Sequence, residues 1–121
     1  MKRNLDTVRK LLELAEAQPA GQPLMNFSAN FENTPVEVVE HIALMIDAGL
    51  IDGEAEPDSN MPGGSIFVIT KLTCTGHDFL NAARNDNVWN ATKRRISKAG
   101  TWTFGLVLEV LKEEAKRHIG L

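Results

Sequence analysis

A cysteine three residues before a histidine, Cys74 and His77, is the pairing in this chain whose types and spacing suit a nucleophile and its base. The surrounding residues predict a helix beginning here, and a helix N-terminus favours the thiolate. No third group is evident to orient the pair. The plainer reading is a small buried thiol replacing a bulkier core residue, beside a histidine bonded to nearby backbone. Metal chemistry has less to work with. His41, His77 and His118 are the three histidines and Cys74 the single cysteine, with no CxxC or HExxH spacing among them. Gly63-Gly64 lacks the Lys-Ser/Thr and following helix of a phosphate loop, and reads as a turn. Glu113-Glu114 reads as a solvated helix face. Nothing in these spacings argues for an enzyme, a metal or a cofactor.

Charge is more informative. Thirteen Lys and Arg oppose sixteen Asp and Glu, a net −3. Residues 1–60 hold four cations, Lys2, Arg3, Arg9 and Lys10, against eleven anions, giving −7, and residues 61–121 carry +4. Such an asymmetry bears on partners and on the surrounding field rather than on fold. With 43% apolar and 24% charged residues, 121 residues suit one ordinary globular domain and exclude a disordered tail, a fibrous repeat or a disulfide-stapled miniprotein. The longest apolar runs, such as 66–69, are too short to span a bilayer. No secretory leader pattern opens the chain, and a lone cysteine forms no internal disulfide. The expected location is cytoplasmic.

The elements that must position these residues follow from periodicity. Leu5, Val8, Leu11, Leu12 and Ala15 recur at helical spacing and predict a helix over 3–17, ended by Pro19, Gly21 and Pro23. A brief strand is predicted at 24–27, with Phe31 plugging the core nearby. Thr34, Pro35 and Glu37 form a helix start, and Val38, Ile42, Met45 and Ile46 face inward until Gly49 ends the helix. Leu50-Ile51 opens a strand, a polar tip spans 54–64, and 65–72 is a second strand. Thr73 or Thr75 caps a helix over 76–84 that turns Phe79, Leu80 and Ala83 inward, with Arg84 set beside Asp78 or Asp86. Asp86 caps the next helix, striped by Val88, Trp89, Thr92, Ile96 and Ala99, and Gly100 interrupts it. The last helix, 103–118, carries Phe104, Val107, Leu108, Leu111 and Ala115, while Leu106 and Val110 widen its apolar arc.

Helix, short strand, helix and two-stranded hairpin predict an α+β, mainly helical fold. It is a winged helix-turn-helix-like domain with a two-stranded wing and a helical C-terminal extension. The single domain spans 1–121, with the winged-helix core and wing in 1–73 and the C-terminal helices in 74–121.

Three blocks resemble a family of small bacterial and phage-borne proteins catalogued as a domain of unknown function. They are the opening MKRNLD of residues 1–6, the element His41-x-x-Leu44-x-x-x-Ala48-Gly49-Leu50-Ile51, and Leu72-Thr73-x-x-Gly76-His77-x-Phe79-Leu80 followed by Arg84 and Val88-Trp89. Cys74 stands where the family pattern has an aromatic residue. The resemblance implies a winged-helix-like fold and frequent carriage on prophages and mobile elements. It implies no activity.

Two binding functions remain. Winged helices commonly lay the helix before the wing into the DNA major groove. Here that helix offers Glu37, Glu40 and Asp47 with His41 as its one cation, and the wing offers Glu54, Glu56 and Asp58. Phosphate is bound by Lys and Arg, so this surface repels a duplex and suits a protein partner with a basic surface. A phage-borne inhibitor of a host or defence nucleic-acid enzyme fits that physics. The alternative is a regulator that binds double-stranded DNA through Lys93, Arg94, Arg95 and Lys98, with Arg3, Arg9 and Lys10 of the first helix. The broad arc of the last helix further suggests a homodimer.

Overall fold

The computed structural model describes residues 1–25, 34–57 and 65–120. Its elements, in chain order, are α1 (Leu5–Glu16), β1 (Leu24–Met25), α2 (Pro35–Asp47), β2 (Ile51–Pro57), β3 (Ser65–Leu72), α3 (Cys74–Ala83), α4 (Asp86–Ala99) and α5 (Phe104–His118). The chain is α+β, with a three-stranded antiparallel sheet in the order β1-β3-β2. That element order and sheet are winged-helix-like. Two compact units divide it, Met1–Gly76 and His77–Leu121, so the boundary falls inside α3.

In the first unit, local chemistry defines each helix. The Asn4 side chain accepts from the N–H groups of Asp6 and Thr7 and starts α1. The Thr34 hydroxyl accepts from the Glu37 N–H at 3.3 Å while the Glu37 carboxylate accepts from the Thr34 N–H at 3.1 Å, a reciprocal capping box that starts α2. Gly49, at φ 76°, turns the chain out of α2. Val8, Leu11, Leu12, Ile42 and Met45 are fully buried, each contributing roughly 1.5–3 kcal/mol. Helix α1 packs on α2 and β3, and α2 on both wing strands. Residues 26 and 27 of the expected first strand, Phe31 and the 58–64 part of the expected tip lie outside the described residues.

The wing departs from regular alternation once. Asp52 faces Lys71 and Gly53 faces Ile69, which leaves Thr70 as an extra residue in β3. The bulge keeps Phe67, Ile69 and Leu72 buried and turns Lys71 out, where its ammonium lies 4.0 Å from Asp52. Gly53 is required for close approach, because a Cβ there would lie 2.1 Å from the Val68 carbonyl oxygen. Strand β2 also runs further than the sequence suggests. Glu54 and Glu56 sit within it rather than in a loop tip.

Two of the blocks quoted above meet at the end of the wing. Thr73 donates its hydroxyl to the Gly49 carbonyl, its N–H bonds the Leu50 carbonyl at 3.1 Å, and its oxygen accepts from the Gly76 N–H at 3.0 Å. Thr73 is thus the cap of α3. A Cβ on Gly76 would come within 1.9 Å of the Leu50 oxygen, so only glycine allows this approach.

In the second unit, α4 packs against α5. Phe79, Leu80, Ala83, Val88, Trp89, Ile96, Val107 and Leu111 are buried, and Phe79 meets Trp89 edge-on with ring centroids 6.3 Å apart. The buried Thr92 hydroxyl donates to the Val88 carbonyl at 2.8 Å. Asn85, not Asp86, caps α4, and Thr103 caps α5. Gly100 ends α4 at φ 76°. Ala99, expected on the inward stripe, is exposed at that last turn.

Candidate functional site

Helix α2 buries Val38, His41, Ile42 and Met45. Its opposite face carries Val36, Glu40 and Asp47, all exposed, with the half-buried Val39, Ala43, Leu44 and Ile46 around them. Glu40 and Asp47 are two turns apart on one side. The helix contains no Lys or Arg.

His41 requires a correction. Expected as the cation of this surface, it is 1% exposed and bonded at both ring nitrogens. Its Nδ1 lies 2.7 Å from the Glu37 carbonyl oxygen, and the Asn4 N–H donates to its Nε2 at 2.9 Å. Nδ1 therefore carries the proton and the ring is a neutral bridge between α2 and the residue that caps α1. The signal was in the spacing, since residue 41 falls on the same stripe as Val38, Ile42 and Met45. Glu37 is also committed to structure. Hydrogen bonds from the Thr34 backbone and hydroxyl lower its carboxyl pKa from the usual value.

Glu54 and Glu56 project from one face of β2 and are exposed. Among the described residues neither has an ion-pair or hydrogen-bond partner. An open cavity of ≈ 100 Å³ lies beside them, lined by Met25, Glu54, Glu56, Phe67 and Val68. Asp58 lies outside the described residues.

The basic candidates are more engaged than their sequence suggests. Arg95 pairs with Glu113 at 2.8 Å and Glu114 at 3.1 Å, hydrogen bonds that raise its pKa further and tie α4 to α5. Arg117 adds a contact to Glu114 at 3.3 Å. The carboxylate pair expected on a solvated face is therefore the counter-charge of the basic helix, and Glu114 is largely buried. Lys93 sits 5.8 Å from the Trp89 ring centroid. Arg94 and Lys98, one turn apart, are exposed. In α1, Arg9 pairs with Glu13 at 3.1 Å and Lys10 is half-buried and engaged, as is Arg3 just before the helix.

Cys74 is exposed in the first turn of α3, not the buried thiol expected, and His77 is exposed one turn on. Arg84 is exposed and donates to Asn81 at 3.0 Å. Among the described residues no group of three or more His, Cys, Asp or Glu is placed to hold a metal ion. No described helix is long and apolar enough to cross a membrane. On α5, Val110 is 7% exposed and Leu106 is 37% exposed, so half of the widened arc is already covered.

Residues 2–102 match the family described as "Hypothetical protein (DUF2513)". The chain belongs to that family. It is also 34% identical over 121 residues to an uncharacterized protein of Haemophilus influenzae, covering 98% of this chain and 96% of the relative. No solved structure matches the chain. The blocks that carry the family resemblance serve mainly as architecture. His41 bridges two helices, Gly49 reverses the chain, Thr73 and Gly76 close the wing, and Phe79, Leu80, Val88 and Trp89 are core.

Proposed function

We propose that the chain is a non-catalytic interaction protein, cytoplasmic and of the phage or mobile-element kind, whose first unit binds a protein partner through a basic surface on that partner. The observation that carries this reading is the outward face of α2. In the winged-helix order this helix would enter a DNA groove, yet it presents Val36, Glu40 and Asp47 and no cation. A duplex would meet uncompensated carboxylates there, whereas a basic protein surface gains both apolar contact and charge complementarity. The groove of a nucleic-acid enzyme has that chemistry, and blocking it is the role we assign. The DNA alternative draws on Arg94 and Lys98, with Arg95 already held by α5.

A photo-crosslinking residue placed at Val36 in one variant and at Lys98 in another separates the two readings in cells. Adducts at Val36 that survive nuclease and vanish with protease support a protein partner. Nuclease-sensitive adducts at Lys98, with none at Val36, overturn it in favour of DNA.

A further inference from the structure

The sheet order β1-β3-β2 leaves β2 as an edge strand, paired on one side with β3 and with no strand on its other side among the described residues. An edge strand presents unpaired N–H and C=O groups that another extended chain can take up. The outer face beside it is unusual. Met25, Val68 and Glu54 stand opposite one another in a single row across the three strands. They share with Phe67 and Glu56 the lining of the open cavity. The row thus runs from an apolar floor to a carboxylate at the edge, with a second carboxylate two residues on.

We propose that this edge accepts an extended basic segment of the protein partner as an added strand along β2. The proposal rests on the reading that the partner is a protein, and it names where and how one part of it docks. Glu54 and Glu56 are two residues apart and on one face, so an added strand would need cations at alternate positions to stand opposite both. Long stems suit the geometry. An Arg or Lys opposite Glu54 or Glu56 can extend its methylenes along its own strand's outer face and set its charged head against the carboxylate across the new pair.

Charge complementarity also decides between occupants. A second copy pairing antiparallel through β2 about Ala55 would set Glu54 opposite the copy's Glu56 in both directions, two like-charge pairs with no described cation beside them. All thirteen Lys and Arg lie within the described residues, so none is hidden near the wing tip. A duplex would be repelled for the same reason. The plain alternative is that the carboxylates only keep the edge from pairing with anything.

The test is a titration of the isotopically labelled full chain with a short end-blocked peptide alternating arginine and threonine, followed by amide chemical shifts and amide exchange. The expected result is shift changes and slowed exchange over 52–56, lost when the peptide backbone is N-methylated at alternate positions. Replacing both acids, Glu54→Gln with Glu56→Gln, should weaken binding about tenfold, in line with the loss of two charged cross-strand pairs. Both side chains are exposed, so the variant should keep its fold, which its own amide spectrum checks. No perturbation of β2 overturns the proposal and leaves the plain alternative. Equal binding of the N-methylated peptide overturns it too, by reducing the contact to charge attraction. Shifts confined to α2 overturn strand addition while sparing the protein-partner reading. That reading fails separately, through nuclease-sensitive crosslinks.

Discussion

Helix α2 turns toward solvent two carboxylates and a set of aliphatic side chains with no cation, while α4 carries four cations and commits Arg95 to Glu113 and Glu114 of α5. The same contrast holds for the units that contain them. Five Lys and Arg against eleven Asp and Glu give the first unit −6, and eight against five give the second +3. In the second unit part of the charge is satisfied from within. In the first, Arg9 pairs with Glu13 and Lys71 with Asp52, His41, Thr34 and Glu37 are satisfied in building the helices, and Glu54 and Glu56 have no described partner. Counting cations along a chain therefore overstates the reach of the basic segment. What matters to an incoming ligand is the charge left over after internal pairing.

The largest effect expected from disturbing this contrast comes from the buried side of α2. Replacing His41→Phe removes both ring bonds, leaves the Asn4 N–H without its acceptor, and should cost about 2 kcal/mol in urea unfolding. An unchanged midpoint would mean that α2 is held by its apolar stripe alone. A smaller effect, opposite in kind, is expected on α4. The double change Glu113→Gln with Glu114→Gln releases Arg95 and should delay elution of the protein from a heparin column while lowering stability only slightly. If elution does not move, internal pairing is not what limits the basic helix, and α4 does not differ from α2 in this respect.

The smallest effect concerns pH. Because Glu37 has a lowered folded-state pKa, its ionised form adds stability above the ordinary glutamate value of about 4.3, and this is lost as pH falls through the folded-state value. Glu37→Gln keeps an acceptor for the capping box but not the charge. Thermal unfolding should show wild type ahead of this variant near neutral pH and the gap closing in acid. A gap that widens on acidification would reverse the sign and discard the capping explanation.

Much of the fold was legible because its cues are local. Thr34-Pro35 with Glu37 announces a helix start within four residues, and the stripe of Val8, Leu11 and Leu12 needs no knowledge of what it packs against. What the sequence hides is mainly long-range. Strict alternation over 65–72 would place Lys71 on the face of Ile69, and only pairing with β2 reveals the extra residue. The partners of Glu113 and Glu114 lie eighteen and nineteen positions back, at Arg95, beyond any helical spacing rule. His41 was read by its chemistry when its position on the stripe was the better guide. The candidate surfaces were correspondingly half legible, with acidic identity plain and accessibility hidden.

The bulge in β3 also bears on how related sequences should be aligned. Because Thr70 is opposed by nothing on β2, a relative lacking one residue there would keep Phe67, Ile69 and Leu72 inward in an unbroken alternation. A single-residue gap inside this strand is thus structurally silent, whereas the same gap one position either side would remove Lys71 or Ile69. Position 53 should covary with it. Glycine is demanded there by the Val68 carbonyl opposite the irregular step, and chains with a regular strand would be free to carry a side chain.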